Sequence, residues 1–103
     1  MELNVRKFNE TYIIDIFGEI DFYNSSELKI LFSKMLSKKI RSFIINLENV
    51  EYIDSSGIGT LIFICEKLFK EDFQIALTGV HGMVKNVIEL TKLSSYFPLA
   101  TTV

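Results

Sequence analysis

Hydrophobic and polar positions along the chain alternate with two different periods, and each period predicts a different type of element. Five short apolar segments have the length and pattern of strands. They cover residues 3–8, 12–17, 43–47, 73–78 and 97–102. Segment 43–47 is apolar on both faces, as expected of a central strand that is covered on two sides. Pro98 is compatible with a last strand at an edge of the sheet.

Three further segments have the period of an amphipathic helix. In the first, apolar residues recur at positions i, i+3, i+4, i+7 and i+8, from Leu28 to Leu36, and Asn24, Ser25 or Ser26 can cap its start. The second helix is predicted at about 56–70 and the third at about 82–93. The order β-β-α-β-α-β-α-β predicts an α/β fold, with a mixed β-sheet of about five strands and helices packed against it.

Composition and charge limit the classes of protein to which the chain can belong. The 103 residues are 49% apolar with a single proline, which predicts one domain, residues 1–103, with its own core. The net charge is −2 and basic residues are not clustered, so no nucleic-acid partner is expected. The longest apolar run, 61–65, is too short to insert into a membrane, and the first residues do not resemble a secretory signal. The single cysteine fits a reducing cytoplasm.

Residues with catalytic or metal-binding chemistry are few. One histidine and one cysteine cannot supply the spaced ligand pairs of a metal site, so neither a metal nor another cofactor is expected. His81 lies in a loop with no signature that links it to a nucleophile, and we interpret it as a solvated residue of the loop or helix start. Cys65 falls on the inward stripe of the second helix, where a buried, unreactive thiol is expected. The sequence therefore favours a protein that is not an enzyme.

The segment Asp54-Ser55-Ser56-Gly57 stands where a strand meets a helix. At such a helix start, free backbone N–H groups and the helix dipole favour an anion, so a serine there could carry a phosphate. The alternative is an ordinary helix cap, since Asp and Ser are preferred at that position. Gly57 and Gly59 keep the segment free of bulk.

A second feature of the predicted second helix is a face that lies off its core stripe. This face contains Ser56, Thr60, Phe63 and Lys67, with Gly59 beside them. An exposed aromatic ring is typical of surfaces where proteins dock. Phe63 is therefore either part of a partner-binding surface or buried under a neighbouring element, and the sequence leaves both alternatives open.

With these motifs in place, the chain resembles a STAS domain, and within that family a bacterial anti-sigma factor antagonist. The resemblance rests on G-E-I-D at 18–21, the strand at 43–50, Y-I-D-S-S-G-I-G at 52–59 and the segments 76–79 and 84–93. It covers nearly the whole chain. The combination of G-E-I-D with D-S-S-G-I-G at this separation is specific, whereas each motif alone is not.

The resemblance implies a phosphorylation switch that regulates transcription by partner switching. In the family, the serine after the motif aspartate, here Ser55, is phosphorylated by an anti-sigma factor that is itself a serine kinase. The unmodified antagonist binds this kinase and frees the sigma factor, and a PP2C-type phosphatase restores the unmodified form. Ser56 is the alternative phosphorylation site. Asp21, Asp54 and Gly57 are expected to support the switch.

Two other functions stay open. One is a STAS scaffold that is not phosphorylated, either in a signalling complex or as a subunit of a membrane-transport complex. The other is a module or enzyme that binds a nucleotide or another small molecule, for which the sequence offers no convergent polar groups beyond residues 54–57. A monomer is expected, with a dimer as the alternative.

Overall fold

The computed structural model describes residues 1–37 and 41–90 of the chain. These residues form strands β1 (Glu2–Phe8), β2 (Thr11–Ile20), β3 (Ser42–Ile53) and β4 (Gln74–Thr78), and helices α1 (Ser25–Leu36), α2 (Ser55–Lys70) and α3 (Gly82–Leu90). The predicted order of elements is confirmed through α3. The strand predicted at 97–102 and the predicted helical residues 91–93 lie outside the described residues.

The four described strands form one mixed sheet in the order β1-β2-β3-β4. β1 and β2 are antiparallel, whereas β2 pairs with β3 and β3 with β4 in parallel. A two-residue connection suffices for the first pair, and Asn9 within it adopts a positive φ of 53°. The parallel pairs need longer crossovers, which α1 and α2 supply. The predicted α/β fold with a mixed sheet is thus confirmed.

Among the described residues, buried apolar side chains form one core cluster to which α1, α2 and α3 all contribute. On β2 and β3, alternate residues point into this cluster because successive side chains of a strand point to opposite faces. The residues concerned are Ile14 and Ile16 on β2, Phe43, Ile45 and Leu47 on β3, Leu28 and Phe32 on α1, Leu61 and Leu68 on α2, and Val84 and Ile88 on α3. No helix of the described ranges has the length and apolar character needed to cross a membrane.

Two strands are longer than predicted, and their extra length builds the functional corner described below. β2 continues past Gly18, which adopts a φ of +95°, to Ile20. β3 continues through its acidic residues to Ile53 and pairs with β2 there, so the strand predicted at 43–47 extends six residues further than expected. Irregularities in the β2–β3 register accommodate both extensions and are not visible in the hydrophobic pattern. As a result, β2 and β3 end side by side.

A charged side chain, Asp15 of β2, is buried within the sheet with only 6% of its surface exposed. It accepts hydrogen bonds from Arg6 Nε at 2.7 Å and Arg6 Nη2 at 3.1 Å. Asn46 Nδ2 on β3 donates at 2.8 Å and Asn4 Nδ2 on β1 at 3.3 Å. These bonds, that from Arg6 above all, hold the pKa of Asp15 below its usual value despite burial. One carboxylate therefore ties three strands together.

Candidate functional site

The candidate site lies where β2 and β3 end, and we call residues 20–24 and 53–57 the serine corner. Ile20 and Ile53 are paired as the last residues of the two strands. The backbone N–H of Asp54 donates to the carbonyl of Ile20 at 3.2 Å. The loop between β2 and α1 and the first turn of α2 are consequently in direct contact. Two segments whose paired residues Ile20 and Ile53 are 33 positions apart in sequence meet here, because parallel neighbours end at the same edge of a sheet.

Asp54 is bonded to both segments of the serine corner. It is the N-cap of α2, and its Oδ1 accepts a hydrogen bond from Gly57 N at 2.9 Å. Its Oδ2 accepts a second bond from Phe22 N at 3.1 Å, in the loop between β2 and α1. Asp54 is thus the expected cap, and it also fixes the neighbouring loop against the helix start.

Asp21 shapes that loop from within. Its Oδ1 accepts hydrogen bonds from Tyr23 N at 2.9 Å and Asn24 N at 3.1 Å, which closes a tight turn. Asn24, the N-cap of α1, makes no side-chain cap bond. Its amide instead accepts from Asp21 N at 2.9 Å and donates to the carbonyl of Glu19 at 2.9 Å. Asp21 and Asn24 together set the path of the chain beside Ser55.

The two candidate serines differ in accessibility. Ser55 is the first residue of α2 and is exposed, whereas Ser56 is half-buried. Both lie in the first turn, where backbone N–H groups have no intrahelical acceptor and the helix dipole favours negative charge. The Ser55 side chain can therefore be reached from solvent at a helix end that tolerates an anion.

The glycines of the corner have different surroundings. Gly57 is buried, and a Cβ there would lie 2.5 Å from the Ile20 carbonyl oxygen and 2.6 Å from Cγ1 of Ile53. The start of α2 lies directly against the ends of β2 and β3, so only a residue without a side chain fits at position 57. Gly59 is exposed, and a Cβ there would meet no atom within 4 Å.

The face of α2 that the sequence suggests for partner binding is only partly exposed. Phe63 keeps 48% of its surface exposed, with Lys29 Nζ of α1 at 5.1 Å and Lys67 Nζ at 6.0 Å from the ring centroid. It therefore packs beside α1 and also remains accessible. Lys67 is exposed as well.

The prediction that Thr60 lies on this accessible face is wrong, because Thr60 is buried, with only 3% of its surface exposed. Ile64, one turn further along α2, is 2% exposed and lines the groove between α1 and α2. Helix α1 therefore lies along the side of α2 that carries Ile64. A contact between α1 and α2 is a tertiary event that the periodicity of α2 alone does not reveal.

Two residues that the sequence analysis did not select stand out at the serine corner. Phe22 and Tyr23 are 72% and 88% exposed, and their rings meet edge to face with centroids 5.6 Å apart. A signal was available in the sequence, since two consecutive aromatic residues directly follow G-E-I-D in a loop that precedes a helix. Such large rings on a surface loop are typical of contact residues rather than of core residues.

His81 and Cys65 lie apart from the corner. His81 is exposed, and its Nε2 lies 2.6 Å from the carbonyl oxygen of Glu48. Cys65 is 1% exposed, and burial, with a smaller effect of Glu66, raises the pKa of its thiol to about 12. Within residues 1–37 and 41–90, no three His, Cys, Asp or Glu side chains are grouped so that they could hold a metal ion.

Comparison with known proteins gives matches over nearly the whole chain. A sequence profile of the STAS domain matches residues 2–103. The anti-sigma-B factor antagonist of Staphylococcus aureus (strain NCTC 8325 / PS 47) is 30% identical over 95 residues, which cover 90% of this chain and 88% of the relative. A solved anti-sigma factor antagonist from Mycobacterium paratuberculosis has a TM-score of 0.87 at 25% identity, covering 99% of this chain and 86% of the other. The phosphorylated form of the Bacillus cell fate determinant SpoIIAA has a TM-score of 0.72 at 22% identity, with 97% and 92% covered.

Proposed function

The chain belongs to the STAS domain family, and on that basis we propose that it is an anti-sigma factor antagonist controlled by phosphorylation of Ser55. In its unmodified form it binds an anti-sigma factor that is also a serine kinase, and the sigma factor is released. Transfer of a phosphoryl group to Ser55 ends this binding, and a PP2C-type phosphatase restores it. The cycle takes place in the cytoplasm.

The observation that carries the proposal is the exposure of Ser55 at the first position of α2, in a corner fixed by Asp54. A kinase needs an accessible hydroxyl in a defined position, and the two hydrogen bonds to Asp54 supply a defined backbone around it. The relative named as an anti-sigma-B factor antagonist supports the class of partner. The phosphorylated form of SpoIIAA, which has the same fold, supports the type of modification.

The electrostatic effect of the phosphate is large enough to act as a switch. A phosphoserine carries about −1.5 to −2 charges at pH 7. Opposite one carboxylate or nucleotide phosphate of the partner at about 4 Å, each unit of charge costs about 4 kcal/mol at an effective dielectric constant near 20. Since about 1.4 kcal/mol is a factor of ten in affinity, half of that cost weakens binding by more than roughly tenfold.

The other corner residues have supporting roles in this proposal. Asp54 holds the helix start and the loop together, Asp21 shapes the loop, and Gly57 lets α2 approach the strand ends. The partner contacts the corner and the exposed part of α2, which includes Gly59, Phe63 and Lys67. Thr60 is not part of this surface, because it is buried.

The test uses the purified chain, the serine-kinase anti-sigma factor of the same organism and ATP, with mass spectrometry to locate the phosphate and calorimetry to measure the dissociation constant (Kd). The wild-type chain is expected to bind and to be phosphorylated at Ser55. The Ser55→Ala variant should bind with the wild-type Kd and stay unmodified. The Ser55→Asp variant should bind at least about tenfold more weakly, because its carboxylate carries part of the charge of a phosphate.

The matched control is Ser56→Ala, which removes the neighbouring hydroxyl and leaves Ser55 in place. This variant should be phosphorylated like the wild type. Phosphate found on Ser56 instead of Ser55 would mean that the proposal names the wrong serine as the switch. Binding without modification of either serine would support the alternative of a scaffold that is not phosphorylated.

A further inference from the structure

We propose that Phe22 and Tyr23 form the apolar anchor by which the serine-kinase anti-sigma factor holds this chain. The inference rests on the proposed function and adds a contact surface to it. The partner is expected to receive the two rings in an apolar pocket next to its nucleotide site. We call the two residues the aromatic pair.

The exposure of the aromatic pair is the first reason. The rings of Phe22 and Tyr23 leave 72% and 88% of each residue in contact with water, although they pack edge to face against one another. Removing apolar surface from water lowers the free energy. Within the described fold most of the surface of these two rings stays in water, so most of this stabilisation is left for a partner to supply. Tyrosine is also among the residues that most often dominate the affinity of an interface, and phenylalanine is enriched at interfaces.

The position of the aromatic pair is the second reason. The N–H of Phe22 donates to Oδ2 of Asp54 at 3.1 Å, and Asp54 directly precedes Ser55. A kinase that brings its phosphate donor to the Ser55 hydroxyl must cover the immediate surroundings of that hydroxyl. The loop bearing the rings lies within those surroundings, so the kinase cannot reach Ser55 without coming close to the pair.

The third reason is that the loop is held in place before the partner arrives. The carboxylate of Asp21 accepts from Tyr23 N at 2.9 Å, and that of Asp54 accepts from Phe22 N. Both members of the pair therefore have their backbone fixed by an aspartate. A loop that is ordered in advance loses less conformational entropy on binding, which favours affinity.

Another exposed aromatic residue, Phe8, provides a matched control. Phe8 is 67% exposed, close to the value for Phe22, but it ends β1 opposite Thr11. Thr11 in turn bonds to Ser42 at the start of β3, whereas Ser55 follows the end of β3. Since β3 has 12 residues, the two ends of this strand are on the order of 30 Å apart. A partner centred on Ser55 is not expected to reach Phe8.

The experiment compares the double variant Phe22→Ala/Tyr23→Ala with Phe8→Ala and the wild type. Calorimetry gives the Kd for the kinase, and quantitative mass spectrometry gives the rate of Ser55 phosphorylation against kinase concentration. We expect the double variant to bind at least about tenfold more weakly, with a correspondingly higher half-saturating kinase concentration. Its rate at saturating kinase should stay within about twofold of the wild type, because the anchor binds and does not take part in the transfer. Phe8→Ala should match the wild type in both.

A second variant keeps the test decisive if the double variant is misfolded by circular dichroism. Tyr23→Ala alone leaves the hydrogen bond between Phe22 N and Asp54 in place, since only a side chain is removed. It should weaken binding by at least about threefold, as part of the effect of the pair. An unchanged Kd for a folded variant overturns the proposal.

The outcomes separate this inference from the proposed function. If the wild type neither binds the kinase nor is phosphorylated, the proposed function fails. If the wild type binds and the double variant binds equally well, the anchor is wrong and the function stands. Self-association of the wild type that the double variant loses, together with an unchanged Kd for the kinase, would assign the pair to a contact between two copies of this chain and overturn the proposal.

Discussion

At the scale of single residues, Gly57 and Gly59 are separated by one position in α2 but differ in what a side chain would meet. At Gly57 a Cβ would overlap the Ile20 carbonyl, a backbone atom that cannot turn away. At Gly59 the same atom would project into open space. The first glycine is therefore required by packing, and the second is free to be replaced as far as the folded chain is concerned.

We expect Gly57→Ala to lower the free energy of unfolding by about 1–3 kcal/mol, because the added methyl group forces the helix start away from the strand ends. Gly59→Ala should leave that free energy unchanged or raise it by up to about 1 kcal/mol, since alanine favours a helix more than glycine does. Urea denaturation of both variants measures the difference. Equal destabilisation by the two substitutions would contradict the packing described for Gly57.

The sequence allows some residues of the serine corner to be predicted because their roles are local. Asp54 and Ser55 are recognisable since a cap bonds within one turn of its own helix. The second bond of Asp54, to Phe22, joins residues 32 positions apart and follows only from the pairing of β2 with β3. Thr60 is misassigned for a related reason, because its burial depends on the surrounding fold and not on the period of α2 alone.

At the scale of elements, the three strands β1, β2 and β3 are tied together by Asp15. The register places Asn4, Asp15 and Asn46 side by side, and Arg6 reaches over from β1. The periods of the sequence predict the strands themselves, yet they do not predict this network. A lone aspartate in an apolar strand gives no indication of the partners that neighbouring strands will supply.

The network predicts an acid-sensitive contribution to stability. The pKa of Asp15 is lowered from 3.8 in the folded chain, so its contribution is complete above about pH 4 and is lost as the pH falls through the lower folded value. Asp15→Asn should remove this contribution and lower the free energy of unfolding at pH 7 by about 1–3 kcal/mol. Urea denaturation between pH 7 and pH 2 should show a shallower loss of stability in the variant below about pH 4.

A suitable control for this experiment is Asp72→Asn. Asp72 is exposed in a turn at a positive φ of 67°, a conformation that asparagine also adopts readily. Its variant should keep the pH dependence of the wild type. If Asp15→Asn and the wild type lose stability in parallel below pH 4, the bonds to Arg6 and Asn46 do not contribute in the way described.

At the scale of the whole molecule, the proposed switch needs no change of fold. Ser55 is exposed and lies outside the core cluster, and its helix end favours negative charge. A charge added there acts on whatever approaches the corner, and the sheet and helices behind it stay as they are. The protein would then present one rigid surface in two states of charge.

We therefore expect Ser55→Asp to change the free energy of unfolding by less than about 1 kcal/mol in either direction, since attraction by the helix dipole opposes repulsion from Asp54. Urea denaturation measures this value, and amide chemical shifts should change only near the serine corner. Ser55→Ala serves as the control without charge. A loss of stability much larger than this would mean that weak binding by the Asp variant reflects unfolding and not repulsion of the partner.

The burial of Cys65 has a practical consequence. Since it is the only cysteine of the chain and its thiol has a pKa of about 12, it will hardly react with maleimides while the protein is folded. A cysteine introduced at Lys7, in exposed β1, would accept a single fluorescent dye at a known point far from Ser55. Fluorescence anisotropy of the labelled chain would then follow the capture and release of its partner in real time.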